Sequence, residues 1–542
     1  MTVVVLAGKF SSSIYGNIIK VKVKLGAYMK RKLQVGIIDL VSKKPNKKLF
    51  ARIMNANFAS IMPQVVGVWC ENEGHNVTYV CYTGKEDLLS ELPQNSDIIF
   101  IGAFTEAAQA AYALSNLLRS RGAVTVLGGP HARCYPEDAV NYFDYVVGFT
   151  DRNIINEILN DCSPHRPVGI QLNANKQPLS IPGVKERWKF IEPTLRKAPL
   201  IKMVPMLGSL GCPYTCSFCI DSTVAYQPLN FEIMKEDLSF LLTKFKRPLV
   251  GWHDPNFGIR FNEYMDAIEE VVPENSIDFI AESSLSLLSE PHVKRLRRNG
   301  FGAMLPGIES WFDLGNKSKT GSLMGMEKVK HVAEQVNMII RYIPYVQTNF
   351  VLGLDADKGE EPFELTKKFV DMTPGAFPGY SLLSAFGRAA PLNLEYQQLD
   401  RVIPFPFHFL DNNHAMNVKP MNYSWTEFYS HIIGLGEHTF SWNAIMKRLV
   451  ATKALIPRWM NVVRAISEEG FGRVAYNKKI LMHLNSDVEF RNYFEQTTSE
   501  LPEFYLNIIK NELGPLWNWL PEGALLHDQK AYQKSIAERI AV

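Results

Sequence analysis

Two successive series of short β-branched runs, alternating with longer stretches of helical period, constrain the fold of this 542-residue chain more than any other feature. In the first series "VGIIDL" (Val35–Leu40), "HNVTYVCYT" (His75–Thr83), "DIIFIGAF" (Asp97–Phe104), "AVTVLGG" (Ala123–Gly129) and "DYVVGF" (Asp144–Phe149) read as strands. The segments between them, such as "TEAAQAAYALSNLLRSRG", carry helical spacing and stop at Gly74 and Gly122. Strands that are apolar along their whole length must be covered on both faces, which predicts a parallel, doubly wound α/β sheet. Such sheets bind ligands at the carboxyl ends of their strands. Here those ends carry "GAFTEAA" and "GGPHA", where Gly128 and Gly129 let a bulky ligand approach the backbone. Thr105 there can cap a helix or donate to a ligand, and a plain strand-to-helix turn explains the same residues.

A second series begins at Ile201. "IKMVPMLGSL", "RPLVGWHDPNF", "SIDFIAESS", "GFGAMLPGIES", "YVQTNFVLGLD" and "GYSLLSAFGRA" give about six strand–helix units, fewer than the eight of a closed barrel, so an open (β/α)6 barrel is expected. The expected layout is a parallel-sheet domain over 1–163, a proline-rich linker over 164–200, the partial barrel over 201–390, and a mostly helical, aromatic-rich region over 391–542. Phe405, Phe407, Phe409, Trp425, Phe428 and Tyr429 in that last region read first as packing residues and second as a lid over an apolar substrate.

Charge excludes some functions. Fifty-eight basic against 55 acidic side chains leave a net +3, too weak a field for general nucleic-acid or membrane-surface binding. No apolar run is long enough for a membrane span, and "MTVVVLAGKFSSS" lacks the features of an export signal, so a cytoplasmic setting is expected. In that setting clustered cysteines read as ligands rather than disulfides. Of seven cysteines, Cys70, Cys81, Cys134 and Cys162 stand alone and read as small buried hydrophobes, while three share "GCPYTCSFCID" (Gly211–Asp221). Cys212, Cys216 and Cys219 are soft ligands suited to zinc or to iron–sulfur clusters. A structural zinc site needs a fourth ligand, and the nearest downstream histidine, His253, lies beyond the next expected strand. Three thiolates after the first strand of a barrel-like series therefore point to a [4Fe–4S] cluster with one iron open, and an open position marks catalysis.

The CxxxCxxC spacing, with Phe218 before the last cysteine, resembles the signature of the radical S-adenosylmethionine superfamily. The resemblance implies that the open iron takes the amino and carboxylate groups of S-adenosylmethionine, which one electron then cleaves to the 5′-deoxyadenosyl radical. It further implies that Asp254 and Asn256 of "WHDPNF" approach the methionine amino group, that Glu309 and Ser310 of "GIES" meet the ribose or the amino group, and that "NFVLGLD", beginning at Asn349, lies near the adenine. A parallel-sheet domain ahead of the radical domain resembles the cobalamin-binding members, over roughly 35–390. That likeness places Thr105, Gly128 and Gly129 along the cobalamin nucleotide tail. The DxHxxG loop of classical cobalamin domains is absent, with Val41 standing where its histidine would be, so no histidine of this loop reaches cobalt.

The function this implies is methylation of an unactivated carbon by a cobalamin-dependent enzyme, with a small-molecule substrate and an electron donor such as a flavodoxin or ferredoxin. Alternatives are radical cyclisation, rearrangement or dehydrogenation without methyl transfer, and a non-catalytic sensor. Radical methyl transfer needs no base beside the reacting carbon, so His253, His408 and His414 are not assigned as catalysts.

Overall fold

The computed structural model describes residues 31–45, 59–198 and 200–527. The segment read for an export signal and the first part of the first long helical stretch, 50–58, lie outside them. Strands β1 (Gln34–Leu40), β2 (Asn76–Tyr82), β3 (Ile98–Ala103), β4 (Val124–Gly128), β5 (Tyr145–Val147) and β6 (Ile170–Leu172) form one sheet in the order β2-β1-β3-β4-β5-β6. Every pairing is parallel. Alternate strand residues feed two cores, because successive side chains leave a strand on opposite faces. Val35, Ile37, Ile98, Phe100 and Val126 pack with Trp69 and Ile158 on one side. Ile38, Leu40, Ile99, Ile101 and Leu127 pack with Tyr112 and Leu114 on the other. The strand order reverses between β1 and β3, which opens a crevice at the carboxyl ends of those two strands.

The stretch expected to be an irregular linker is instead structured. It supplies the edge strand β6 and a helix, Val184–Lys197, whose Phe190 and Ile191 are buried. Prolines on both sides and Pro193 within the helix obscured its period, and a three-residue strand is too short for alternation to register.

β7 (Met203–Met206) opens the second series. The hairpin of β8 (Ser209–Leu210) and β9 (Gln227–Pro228) brackets the cysteine loop. Then follow β10 (Leu249–Trp252), β11 (Asp278–Ser284), β12 (Phe301–Glu309), β13 (Tyr345–Leu352) and β14 (Ala376–Leu382). They join β7 in a second six-stranded sheet, all parallel and in chain order. Helices from Trp425–Thr439 to Glu503–Leu513 complete the fold. The aromatic run is packing: Phe405, Phe407, Phe409, Trp425, Phe428 and Tyr429 are all buried, and Phe405 meets Tyr493, Phe494 and Tyr505 edge-on at ring-centroid distances of 5.3–5.4 Å. Cys70, Cys81 and Cys134 are buried as expected, whereas Cys162 is half-exposed at a helix end, with φ 42°.

Asp39, at the end of β1, is buried and accepts hydrogen bonds from the Ser60 N–H (2.6 Å) and the Tyr79 hydroxyl (3.0 Å). Burial raises its pKa from 3.8 to about 6, against the lowering effect of those bonds. The native state thus holds this proton more tightly than the unfolded chain. The associated stability is present below pH 3.8 and is lost as pH rises through about 6. Asp39→Asn keeps an acceptor for both donors. It is expected to stabilise the protein by about 2–3 kcal/mol at pH 8, with the gain shrinking toward pH 4. Urea midpoints of both proteins across that range test this, and a loss of stability at pH 8 would contradict it.

Candidate functional site

The carboxyl ends of the two sheets face one another across a cavity of about 460 Å³. Thr105 and Glu106, which follow β3, and Pro130, which follows β4, line it from the first sheet. Phe218 and Cys219 of the cysteine loop line it from the second, together with Glu309 and Val351. Phe104, 47% exposed, adds an aromatic wall.

Short-range contacts hold the two halves in register. The short helix Pro130–Cys134, which continues the "GGPHA" turn, delivers Arg133 to the cysteine loop. Its guanidinium donates to the Asp221 carboxylate (3.0 Å) and the Ile220 carbonyl (2.8 Å). The Tyr135 hydroxyl reaches the Ala385 carbonyl beyond β14 (3.0 Å). Lys43, beyond β1, donates to the His408 carbonyl (2.6 Å) and to Asp411 (2.9 Å). Burial disfavours the Lys43 charge, but Asp411 and Glu106 hold its pKa above the ordinary lysine value. Glu106 is raised in turn, chiefly by burial.

The cysteine loop doubles back at Gly211, whose φ of +67° would bring a Cβ to 2.5 Å from the Val224 carbonyl. The Cys212 N–H donates to that carbonyl (3.2 Å), and the Cys219 N–H to the Cys216 carbonyl (2.9 Å). Burial pushes the Cys216 thiol up to about 11 and raises Cys219, and in both cases Lys317 opposes the shift. Among the described residues no three His, Cys, Asp or Glu side chains gather as the shell of a single metal ion. A cluster spreads its thiolates over separate irons, and three free thiols on one closed loop fit that donor set.

The remaining residues read from the sequence divide. Glu309 ends β12 just past a break in register, with a left-handed φ of 65° that is costly for a non-glycine residue. Its carboxylate pairs with Lys317, whose pKa stays above the ordinary value because this partner outweighs burial. Asn349 lies on the same face of β13 as the cavity residue Val351, and accepts from Gln347 (2.7 Å). The Ser310 hydroxyl accepts from the Phe312 N–H (3.1 Å) and is buried. Asp254 and Asn256 do not line the cavity. Asp254 accepts from the Gly208 N–H (3.0 Å), Ser209 Oγ (2.5 Å) and Tyr264 Oη (2.7 Å), which pins the approach to the cysteine loop. Asn256 exchanges hydrogen bonds with Ser284, tying the end of β10 to β11. Gly128 and Gly129 differ sharply: a Cβ on Gly128 meets nothing within 4 Å, whereas one on Gly129, at φ +92°, lies 2.8 Å from the Ala103 carbonyl.

Lys317, Arg133 and Glu282 escaped the sequence reading. Glu282 on β11 is solvent-exposed, yet desolvation by the surrounding protein raises its pKa against the opposing charge of Lys317. Lys317 stands in the short helix Gly315–Ser318, eight residues beyond Glu309 at the end of β12, and no sequence period marks that pairing.

This fold is similar to that of solved cobalamin-dependent radical S-adenosylmethionine enzymes. The methyltransferase TsrM from Kitasatospora setae, solved with cobalamin and a [4Fe–4S] cluster bound, superposes at a TM-score of 0.52 with 13% identity, over 89% of this chain and 100% of that one. The radical enzyme OxsB with aqua-cobalamin superposes at 0.55 with 11% identity, over 94% and 84%. In sequence, the chain is 22% identical over 360 residues to bacteriochlorophyllide d C-12(1)-methyltransferase of Chlorobaculum tepidum, which covers 65% of this chain and 76% of that protein. The C-8(2)-methyltransferase of the same organism is 24% identical over 311 residues, 54% and 66% of the two chains. No family model matches the chain.

Proposed function

We propose that this protein is a cobalamin-dependent radical S-adenosylmethionine methyltransferase that acts on an unactivated carbon of a small molecule. The observation that carries the reading is the shared cavity, where Cys219 and Phe218 of the cysteine loop stand opposite Thr105 at the crevice of the first sheet. Cys212, Cys216 and Cys219 would hold a [4Fe–4S] cluster in a partial (β/α)6 barrel, and Thr105, Gly128 and Gly129 would line the cobalamin tail. When bound, the cluster with S-adenosylmethionine supplies a carbon radical, and cobalamin supplies the methyl group.

The chain's own residues orient and enclose these groups. Glu309, held by Lys317, would present a fixed carboxylate toward a ribose or ammonium group, and Asn349, on the strand face of the cavity residue Val351, would offer an amide beside it. The Phe104, Phe218 and Phe386 rings and Leu383 line the cavity, and with ligands bound such an apolar wall would shield a radical from quenching. That apolar, aromatic wall suits a flat, largely apolar substrate, in keeping with the bacteriochlorophyllides named for the two curated relatives. His253, His408 and His414 take no catalytic part. Burial lowers His253 and His408 to about 4, so both stay neutral at physiological pH. Electrons would come from a small carrier such as a flavodoxin or ferredoxin. Among the described residues no helix is long and apolar enough to cross a membrane, and we place the protein in the cytoplasm.

Methyl transfer consumes S-adenosylmethionine in two ways, so turnover is expected to release S-adenosylhomocysteine and 5′-deoxyadenosine in comparable amounts. 5′-Deoxyadenosine without S-adenosylhomocysteine would move the assignment to radical cyclisation, rearrangement or dehydrogenation.

A further inference from the structure

The helical hairpin of Trp442–Ala451 and Leu455–Ile466 turns more apolar surface outward than inward. Its inward face sets polar groups beside the buried Ile445 and Ala465. Buried Arg448 donates to the Ala376 carbonyl at the start of β14 (3.1 Å), and Asn461 donates to Thr452 Oγ1 (3.1 Å). Arg464 reaches Gln347 on β13 (2.6 Å). The outward face is apolar. Trp442, Met446 and Val450 recur every fourth residue at 65%, 52% and 75% exposure, and Leu455, Ile456 and Trp459 continue the patch at 66%, 74% and 58%. The Trp442 ring packs edge-on against Phe471 (5.6 Å), so the patch extends past the hairpin. A helix in water turns its apolar stripe inward. A contiguous outward stripe with two tryptophans marks a surface that something covers.

Charge identifies what covers it. Between 440 and 467 the chain has five basic residues, at 447, 448, 453, 458 and 464, and no aspartate or glutamate. Arg448 and Arg464 are spent on the fold, whereas Lys453 is exposed in the turn between the helices, with Lys447 and Arg458 at the rim. Arg458 bends back to the Thr452 carbonyl (2.9 Å), and Lys447 pairs with Asp371 (3.6 Å). Outward tryptophan and aliphatic side chains, rimmed by Lys447 and Lys453 with only Lys447 given an acidic partner, Asp371, are the makeup of a helix that lies in the plane of an anionic bilayer. The net charge of +3 conceals this because the compensating acids lie elsewhere in the chain. We propose that this hairpin docks the protein on the surface of an anionic lipid membrane, inserting its outer face between headgroups without crossing the bilayer. A membrane-seated enzyme would have direct access to a lipid-dissolved substrate.

The test is sedimentation of the full-length, cofactor-loaded protein with vesicles of phosphatidylcholine alone and of phosphatidylcholine mixed equally with phosphatidylglycerol. Binding to the mixed vesicles, weaker binding to the neutral ones and release by salt are expected. Lys447→Gln and Lys453→Gln should each weaken binding by about fivefold at low salt. The triple variant Trp442→Ser, Val450→Ser, Trp459→Ser should abolish binding while keeping the visible absorbance of the loaded protein. No sedimentation with mixed vesicles would overturn the proposal, as would equal binding by the triple variant. A dimer in solution that the triple variant dissolves, with no vesicle binding, would assign the face to a second copy of this chain.

Discussion

Alanine at Cys212, Cys216 or Cys219 is expected to remove the cluster's iron and reduce cleavage of S-adenosylmethionine to background. That loss is far larger than the roughly 10–100-fold typical of groups that only orient a metal ligand. The three positions should behave alike, because each thiolate would hold its own iron and none has a substitute nearby. The fold should survive. The loop is closed by backbone bonds from Cys212 to Val224 and from Cys219 to Cys216, and by Arg133 on Ile220 and Asp221, none of which needs a thiol. Iron analysis and 5′-deoxyadenosine release measured on the same preparations check this. A variant that keeps its iron and its cleavage would remove that cysteine from the site.

The second large effect separates cobalamin from iron. Gly128→Leu places a side chain where a Cβ meets nothing within 4 Å, and its backbone lies outside the left-handed region, so folding should be little affected. If that space is where the nucleotide tail lies, the variant loses cobalt while retaining iron, and it loses methyl transfer while retaining some cleavage of S-adenosylmethionine. Gly129→Ala is the contrasting case. Its Cβ meets the Ala103 carbonyl at 2.8 Å with φ at +92°, so it should destabilise the first sheet itself by about 1–3 kcal/mol. Metal content measured beside thermal midpoints distinguishes the two. Unchanged cobalt in Gly128→Leu would place the cofactor tail elsewhere.

What the sequence made legible follows from what each signal depends on. Both sheets were readable because burial on two faces forces continuous apolar runs, as in "DIIFIGAF" and "YVQTNFVLGLD". The cysteine loop was readable because its chemistry resides in spacing along the chain. Lys317 was not, because its role rests on meeting Glu309 across a turn that no periodicity describes. Asp254 and Asn256 sit at the strand end where polar residues were expected, yet their hydrogen bonds go to Gly208, Ser209, Tyr264 and Ser284. A strand-end carboxylate looks the same in sequence whether it meets a ligand or ties down a neighbouring loop. The outward stripe of the 442–466 hairpin stayed hidden for a related reason: its helical period shows two faces but not which one the sheet covers.

The most direct test of the account is iron and cobalt analysis, with the absorbance spectrum, of protein purified without oxygen from cells supplied with cobalamin. The account predicts one [4Fe–4S] cluster and one corrin per chain, both retained through gel filtration. Iron without cobalt would contradict the assignment of the first sheet, and zinc without iron would contradict the assignment of the cysteine loop and the radical chemistry with it.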